Sequence, residues 1–193
     1  MDRPVQVVSS SRCAAFSAME IRALREGDDR SRFQSGALDL DRFFQRLARQ
    51  NQFKHYLGVT YVAVDGDAIL GFATVAPGHV EIDDLPASAR KKLPRYPLPV
   101  LRLARLAVDQ AARGQGLGRQ LLGFVFRLAL QMASDYGCVG VVVDAKPDAV
   151  DFYQRYGFLS VDALEGRSDA RPAPIPMFLA IRPIREALGA RRG

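Results

Sequence analysis

The residues best suited to chemistry form one run, Arg113-Gly114-Gln115-Gly116-Leu117-Gly118-Arg119. Glycines at alternate positions let the backbone turn sharply and let a ligand approach its amides. The apolar stretch Leu101 to Val108 precedes the run. Leu117, Leu121, Val125, Leu128, Ala129 and Met132 follow it at helical spacing. The turn therefore opens a helix, whose first N–H groups lack internal partners and whose dipole favours an anion. Strand, glycine turn and helix start together make a cradle for a pyrophosphate. Other nucleotide patterns fail: Arg119-Gln120 stands where a Walker loop needs Lys and Ser/Thr, and the glycines miss the G-x-G-x-x-G spacing.

The elements that must position this turn are legible as periodicities. Met19 to Leu24 alternates as a short strand. Leu40, Phe43, Phe44, Leu47 and Ala48 predict one apolar helix face, with Asp39 as its N-cap. Val59–Val64 and Ala68–Ala76 read as strands joined through Asp65-Gly66-Asp67 as a hairpin. Residues 77–99 hold five prolines and predict a loop with a short helix near 86–92. Leu101–Val108 is the next strand, and the helix after it ends at Gly137. Val139–Val143 lacks alternation, as expected of a strand covered on both faces. A short helix over 148–156, a loop over 162–176 and a strand over 177–181 complete the order. The class is α+β, or mixed α/β, with no internal boundary.

Composition narrows the field. A chain of 193 residues with 48% hydrophobic and 25% charged residues forms one globular domain. It has no apolar run of membrane-spanning length and no secretory leader, so a cytoplasmic location is expected. Two cysteines and two histidines exclude a disulfide framework and a structural zinc site; no metal is expected. The net charge is +6, and all but four of the 27 cations are arginines. That bias suits a phosphorylated ligand or RNA, and equally a GC-rich coding sequence.

The Arg-x-x-Gly-x-Gly turn resembles motif A of the GCN5-related N-acetyltransferases (GNAT family), and Phe152-Tyr153-Gln154-Arg155-Tyr156-Gly157-Phe158 resembles their F-Y-x-x-x-G-F signature. The resemblance implies a mostly antiparallel central sheet, flanked by helices and splayed between its fourth and fifth strands. It implies acetyl-CoA as co-substrate. The pyrophosphate then lies on Arg113, Gly114, Gln115, Gly116, Leu117, Gly118 and Arg119, and the pantetheine along Leu106, Ala107 and Val108. It also implies Tyr153 as proton donor to the departing thiolate; the alternative for Tyr153 is a core aromatic, the reading given to Phe152 and Phe158.

Three further segments are similar to the toxin branch of that family: Phe33-Gln34-Ser35-Gly36 with Leu38-Asp39 and Phe43, Pro97-Leu98-Pro99-Val100 leading to Leu103–Asp109, and Val143-Asp144-Ala145-Lys146. That branch implies an aminoacyl-tRNA acceptor, a ribbon-helix-helix antitoxin as partner and a homodimer. Lys91, Lys92, Arg95, Arg102 and Arg105 form the cationic cluster expected nearest the cleft, to be weighed against an ordinary solvated face. Residues 1–18 read as an N-terminal extension, where disorder is ordinary. Residues 19–183 read as the acetyltransferase domain and 184–193 as a basic tail. An acetyltransferase for a protein or small-molecule amine and a non-catalytic acyl-CoA sensor stand as alternatives.

Overall fold

A computed structural model describes residues 19–85, 90, 93–161 and 173–189. The strands are β1 (Glu20–Ala23), β2 (Val59–Asp65), β3 (Ala68–Val80), β4 (Leu98–Val108), β5 (Gly140–Ala145), β6 (Leu159–Ser160) and β7 (Ile175–Ala180). They form one sheet in the order β1-β2-β3-β4-β5-β7-β6. Every neighbouring pair is antiparallel except β4 and β5, which are parallel. The sheet is therefore mixed, with its single parallel contact at the centre.

Helix α3 (Leu117–Asp135) makes the crossover between the parallel strands and covers one face, burying Leu117, Leu121, Leu122, Val125 and Ala129. Helix α5 (Ile181–Gly189) packs beside it through the buried Ile184. The segment expected as a tail from 184 onward thus begins inside a packed helix.

A helical segment of three parts covers the opposite face: α1 (Leu38–Arg42), a π turn (Phe43–Leu47) and α2 (Ala48–Phe53). Phe44 stacks on Phe72 of β3 at 4.3 Å, and Phe33 meets both rings edge-on. The π turn corrects the expected helix face. Its wider turn keeps Phe43, Phe44 and Ala48 buried but rotates Leu47 outward, to 40% exposure. Asp39 is likewise not the N-cap: Ala37 holds that position, and Asp39 lies in the first turn.

The hairpin at 65–67 forms as expected. β3 and β4 run further than expected, however, pairing Pro77 with Leu101 and Pro99 with His79. Proline is tolerated in a ladder where its missing N–H faces away from the neighbouring strand. The short helix expected near 86–92 falls mainly outside the described residues. A short helix α4 (Val150–Gln154) leads from β5 into β6.

Candidate active site

The cleft is made by pairing that stops. β4 and β5 share a ladder only from Leu101/Val141 to Leu103/Val143. From Ala104 onward β4 keeps β3 alone, while Asp144 and Ala145 of β5 keep β7 alone. The two strands diverge from that point, and the splay expected between the fourth and fifth strands is present.

A β-bulge marks the divergence. Val75 pairs with Leu103 and Thr74 with Arg105, which leaves Ala104 as an extra, exposed residue. The extra residue reverses the alternation of β4. Leu101 and Leu103 before it, and Leu106 and Val108 after it, pack on the α3 side. Val100 before it and Ala107 after it face the other side. Arg102 and Arg105, three residues apart, therefore share a face that an unbroken strand would deny them.

The glycine turn meets the cleft from the α3 side. Asp109 starts a single 3-10 turn over Gln110–Ala112, its carboxylate accepting from the Ala111 N–H at 2.9 Å. Gly114 and Gly116 follow with φ of 75° and 76°, a left-handed conformation that glycine adopts without strain. Side chains added at either would meet nothing within 4 Å, so backbone conformation, not crowding, requires these glycines. Gly116 caps α3, whose first amides point out unpaired. A Cβ added at Gly118 would touch the ring of Phe152 and a methyl of Val108 at 3.6–3.8 Å, so this part of the turn lies beside the end of β4. Open glycines, unpaired helix amides and an unpaired strand edge in one line fit an elongated anionic donor.

Tyr153 on α4 is 5% exposed and lies between Phe152 and Phe158, at 5.1 and 5.4 Å between ring centres. Its ring is a core aromatic. Among the described residues the one fully enclosed, unpaired side-chain polar atom is Arg30 Nε. No side-chain hydrogen bond is formed by the Tyr153 hydroxyl among the described residues. Burial pushes its ionisation far above the ordinary phenol range, so it stays protonated.

The remaining cleft residues are tied down in ways the sequence did not announce. Arg102 Nη1 donates to Asp144 Oδ2 at 2.6 Å across the divergence. Arg105 lies flat over Phe43 at 3.8 Å, and burial lowers its ionisation against the opposing charge of Asp39. Lys146 Nζ donates to Asp39 Oδ1 at 2.7 Å, linking the end of β5 to α1. Burial raises the Asp39 carboxyl, but the Lys146 bond and charge and local backbone amides outweigh it, so the net shift is downward. Arg113 does not reach into the cradle: its guanidinium donates to the Ser35 carbonyl. The Gln34 amide donates to Asp109 Oδ2 and the Gln110 amide to the Gln34 carbonyl, both at 2.9 Å. Asp41 holds the other side, accepting from the Ser35 amide at 2.7 Å and the Ser35 hydroxyl at 2.6 Å. The segment 34–36 is thus bound to the glycine turn and to α1 together.

Of the cationic cluster read from sequence, Arg102 and Arg105 share the cleft face, Arg95 is exposed in the turn before β4, and Lys91 and Lys92 lie outside the described residues. Residues 1–18 lie outside them too.

Residues 57–159, just over half the chain, match the acetyltransferase (GNAT) domain family. The chain belongs to that family, and it is an N-acetyltransferase. It is 33% identical over 138 residues to the tRNA-acetylating toxin of Mycobacterium tuberculosis, covering 71% of this chain and 82% of the relative. Among solved structures, a mutant of KacT superimposes with a TM-score of 0.76 at 25% identity, over 88% of this chain and 98% of that one. A mutant of the toxin AtaT bound to the C-terminus of the antitoxin AtaR and acetyl-CoA superimposes with a TM-score of 0.69 at 21% identity, over 88% and 98%.

Proposed function

We propose that this enzyme transfers acetyl from acetyl-CoA to the α-amine of an aminoacyl-tRNA and so blocks translation. The observation that supports this reading is the loss of β4–β5 pairing after Leu103, on the strand that runs into the glycine turn. The acceptor follows from kinship with a tRNA-acetylating toxin at 33% identity and from the basic charge.

Acetyl-CoA supplies an activated acetyl thioester. The amides from Gly114 to Arg119 hold its pyrophosphate, aided by the helix dipole. The free edge of β4 at Leu106–Val108 binds the pantetheine amides as an added strand would. The acceptor amine forms a bond to the acetyl carbon, and the carbon–sulfur bond breaks. Tyr153 passes its hydroxyl proton to the departing sulfur and regains one from the ammonium formed by the attack. A thiol is a stronger acid than a buried phenol, so the net proton flow runs from ammonium to sulfur with Tyr153 as the relay. The electron-withdrawing ester lowers the amine pKa, so no dedicated base is needed. Asp144 and Asp39 are both held by cations.

In this reading residues 19–183 carry the activity in the cytoplasm, the partner is a small antitoxin, and the enzyme acts as a homodimer. The test is transfer of radiolabel from acetyl-CoA to bulk charged tRNA, with uncharged tRNA as control. Label in the charged pool alone is expected. Label only in free amines or peptides would move the chain to the general acetyltransferase reading.

A further inference from the structure

A cation-lined part of the described surface lies outside the cleft. A cavity of about 340 Å³ is lined by Arg30, Arg46, Arg49 and Lys54, with Glu26 as its only carboxylate. A second cavity, of about 790 Å³, shares Arg46 and continues past Arg42 to Gly36 and Gln110, beside the glycine turn. Together they form one groove along the exposed side of α1 and α2. Its two carboxylates are already engaged: Asp41 holds Ser35, and Glu26 lies 4.0 Å from Arg49. Five cations against two carboxylates leave a surplus of three, half of the net charge of +6.

Arg30 is the least comfortable member. Its Nη1 donates to the Asp28 carbonyl at 2.8 Å, but its Nε is enclosed with no partner. Burial, and then repulsion from Arg49, lower its ionisation. An anion entering the cavity answers both. Arg42, Arg46 and Arg49 recur at four and three residues along the helical segment, and all three are exposed. That is a row of forked donors rather than one pocket, and it suits a chain of phosphates more than a lone anion.

We propose that this groove binds consecutive phosphates of the acceptor RNA and leads its backbone away from the cleft. The inference rests on the aminoacyl-tRNA reading and adds to it a binding surface on α1–α2, distinct from the cations of β4. In the sequence these cations are scattered between residues 30 and 54, and they meet only in the fold.

The experiment measures tRNA binding to the full chain as a function of salt, alongside label transfer to charged tRNA. Arg46→Gln/Arg49→Gln removes two exposed cations and should preserve folding. Arg182→Gln/Arg185→Gln on α5 removes the same charge from the other face. The groove variant should lose about tenfold in affinity and roughly 1.4–1.8 in the salt slope, from about 0.7–0.9 per phosphate. The α5 variant should keep the wild-type slope, and Arg46→Lys/Arg49→Lys should restore most of it. An unchanged slope in the groove variant, with charged tRNA still acetylated, overturns the groove and leaves the function standing. An equal loss in the α5 variant overturns it as well, since charge alone then suffices. Unaltered RNA binding with lost affinity for poly-glutamate would give the groove to an acidic protein segment. Failure of the wild type to acetylate charged tRNA defeats the function itself.

Discussion

At the scale of the residue, Tyr153 shows how packing and chemistry divide one side chain. Its ring is fixed between Phe152 and Phe158, and burial keeps its hydroxyl protonated. Replacement by Phe keeps the ring contacts and removes only the hydroxyl proposed as the proton relay. kcat should fall by about 10²–10⁴ while acetyl-CoA affinity holds, the range usual for a general acid or base. A Tyr153→Phe enzyme of near wild-type turnover returns the residue to the core. The raised ionisation fixes the sign of the pH response. A group whose pKa is pushed upward keeps its proton to higher pH, so the wild-type rate should rise as the acceptor amine loses its proton and should not fall again by pH 9. The motif made Tyr153 legible in sequence. Arg113 was legible only as part of a motif: its bond to the Ser35 carbonyl depends on a chain segment 78 residues away.

At the scale of the element, the loop before α1 and the loop before α3 act as one piece. Gly36 shows how closely they approach: its φ is +80°, and an added Cβ would lie 2.5 Å from Gln110 Nε2 and 3.3 Å from Arg113 Nη2. Arg113 thus couples the loop before α1 to the glycine turn. Arg113→Met should raise the KM for the acceptor about five- to tenfold, the loss of one charge-assisted hydrogen bond of roughly 1–1.4 kcal/mol at a part-exposed site. Acetyl-CoA affinity, measured by calorimetry, should change by less than about twofold. Equal losses in both would put Arg113 on the pyrophosphate after all. The helix over residues 38–53 marks the limit of periodicity as a guide. Leu47 fits a 3.6-residue stripe, yet the π turn displaces it, and nothing local to Leu47 signals the insertion.

At the scale of the whole molecule, what could be read early was what neighbours in sequence decide: the glycine turn, the α3 stripe, the hairpin at 65–67. What could not be read depends on partners brought from afar. The bulge at Ala104 exists only relative to β3, and the splay only relative to β5; the family resemblance supplied the splay, and the residues themselves did not. The splay has a consequence for the protein's life outside the catalytic cycle. From Ala104 to Val108, β4 has a single neighbouring strand, so it is an edge strand lodged in the interior of a sheet. Such edges invite pairing with other chains. The kink at Ala104, the charge of Arg105 and the Asp144 carboxylate opposite are the devices that blunt a natural edge. A donor lying along that edge caps it. During mild heating, light scattering should therefore rise later with saturating acetyl-CoA than with free adenosine diphosphate, which offers a pyrophosphate but no amides for the strand. Equal protection by both would mean that the edge is already guarded by its bulge and its charges, and that the enzyme between turnovers is no more prone to self-association than when its cleft is full.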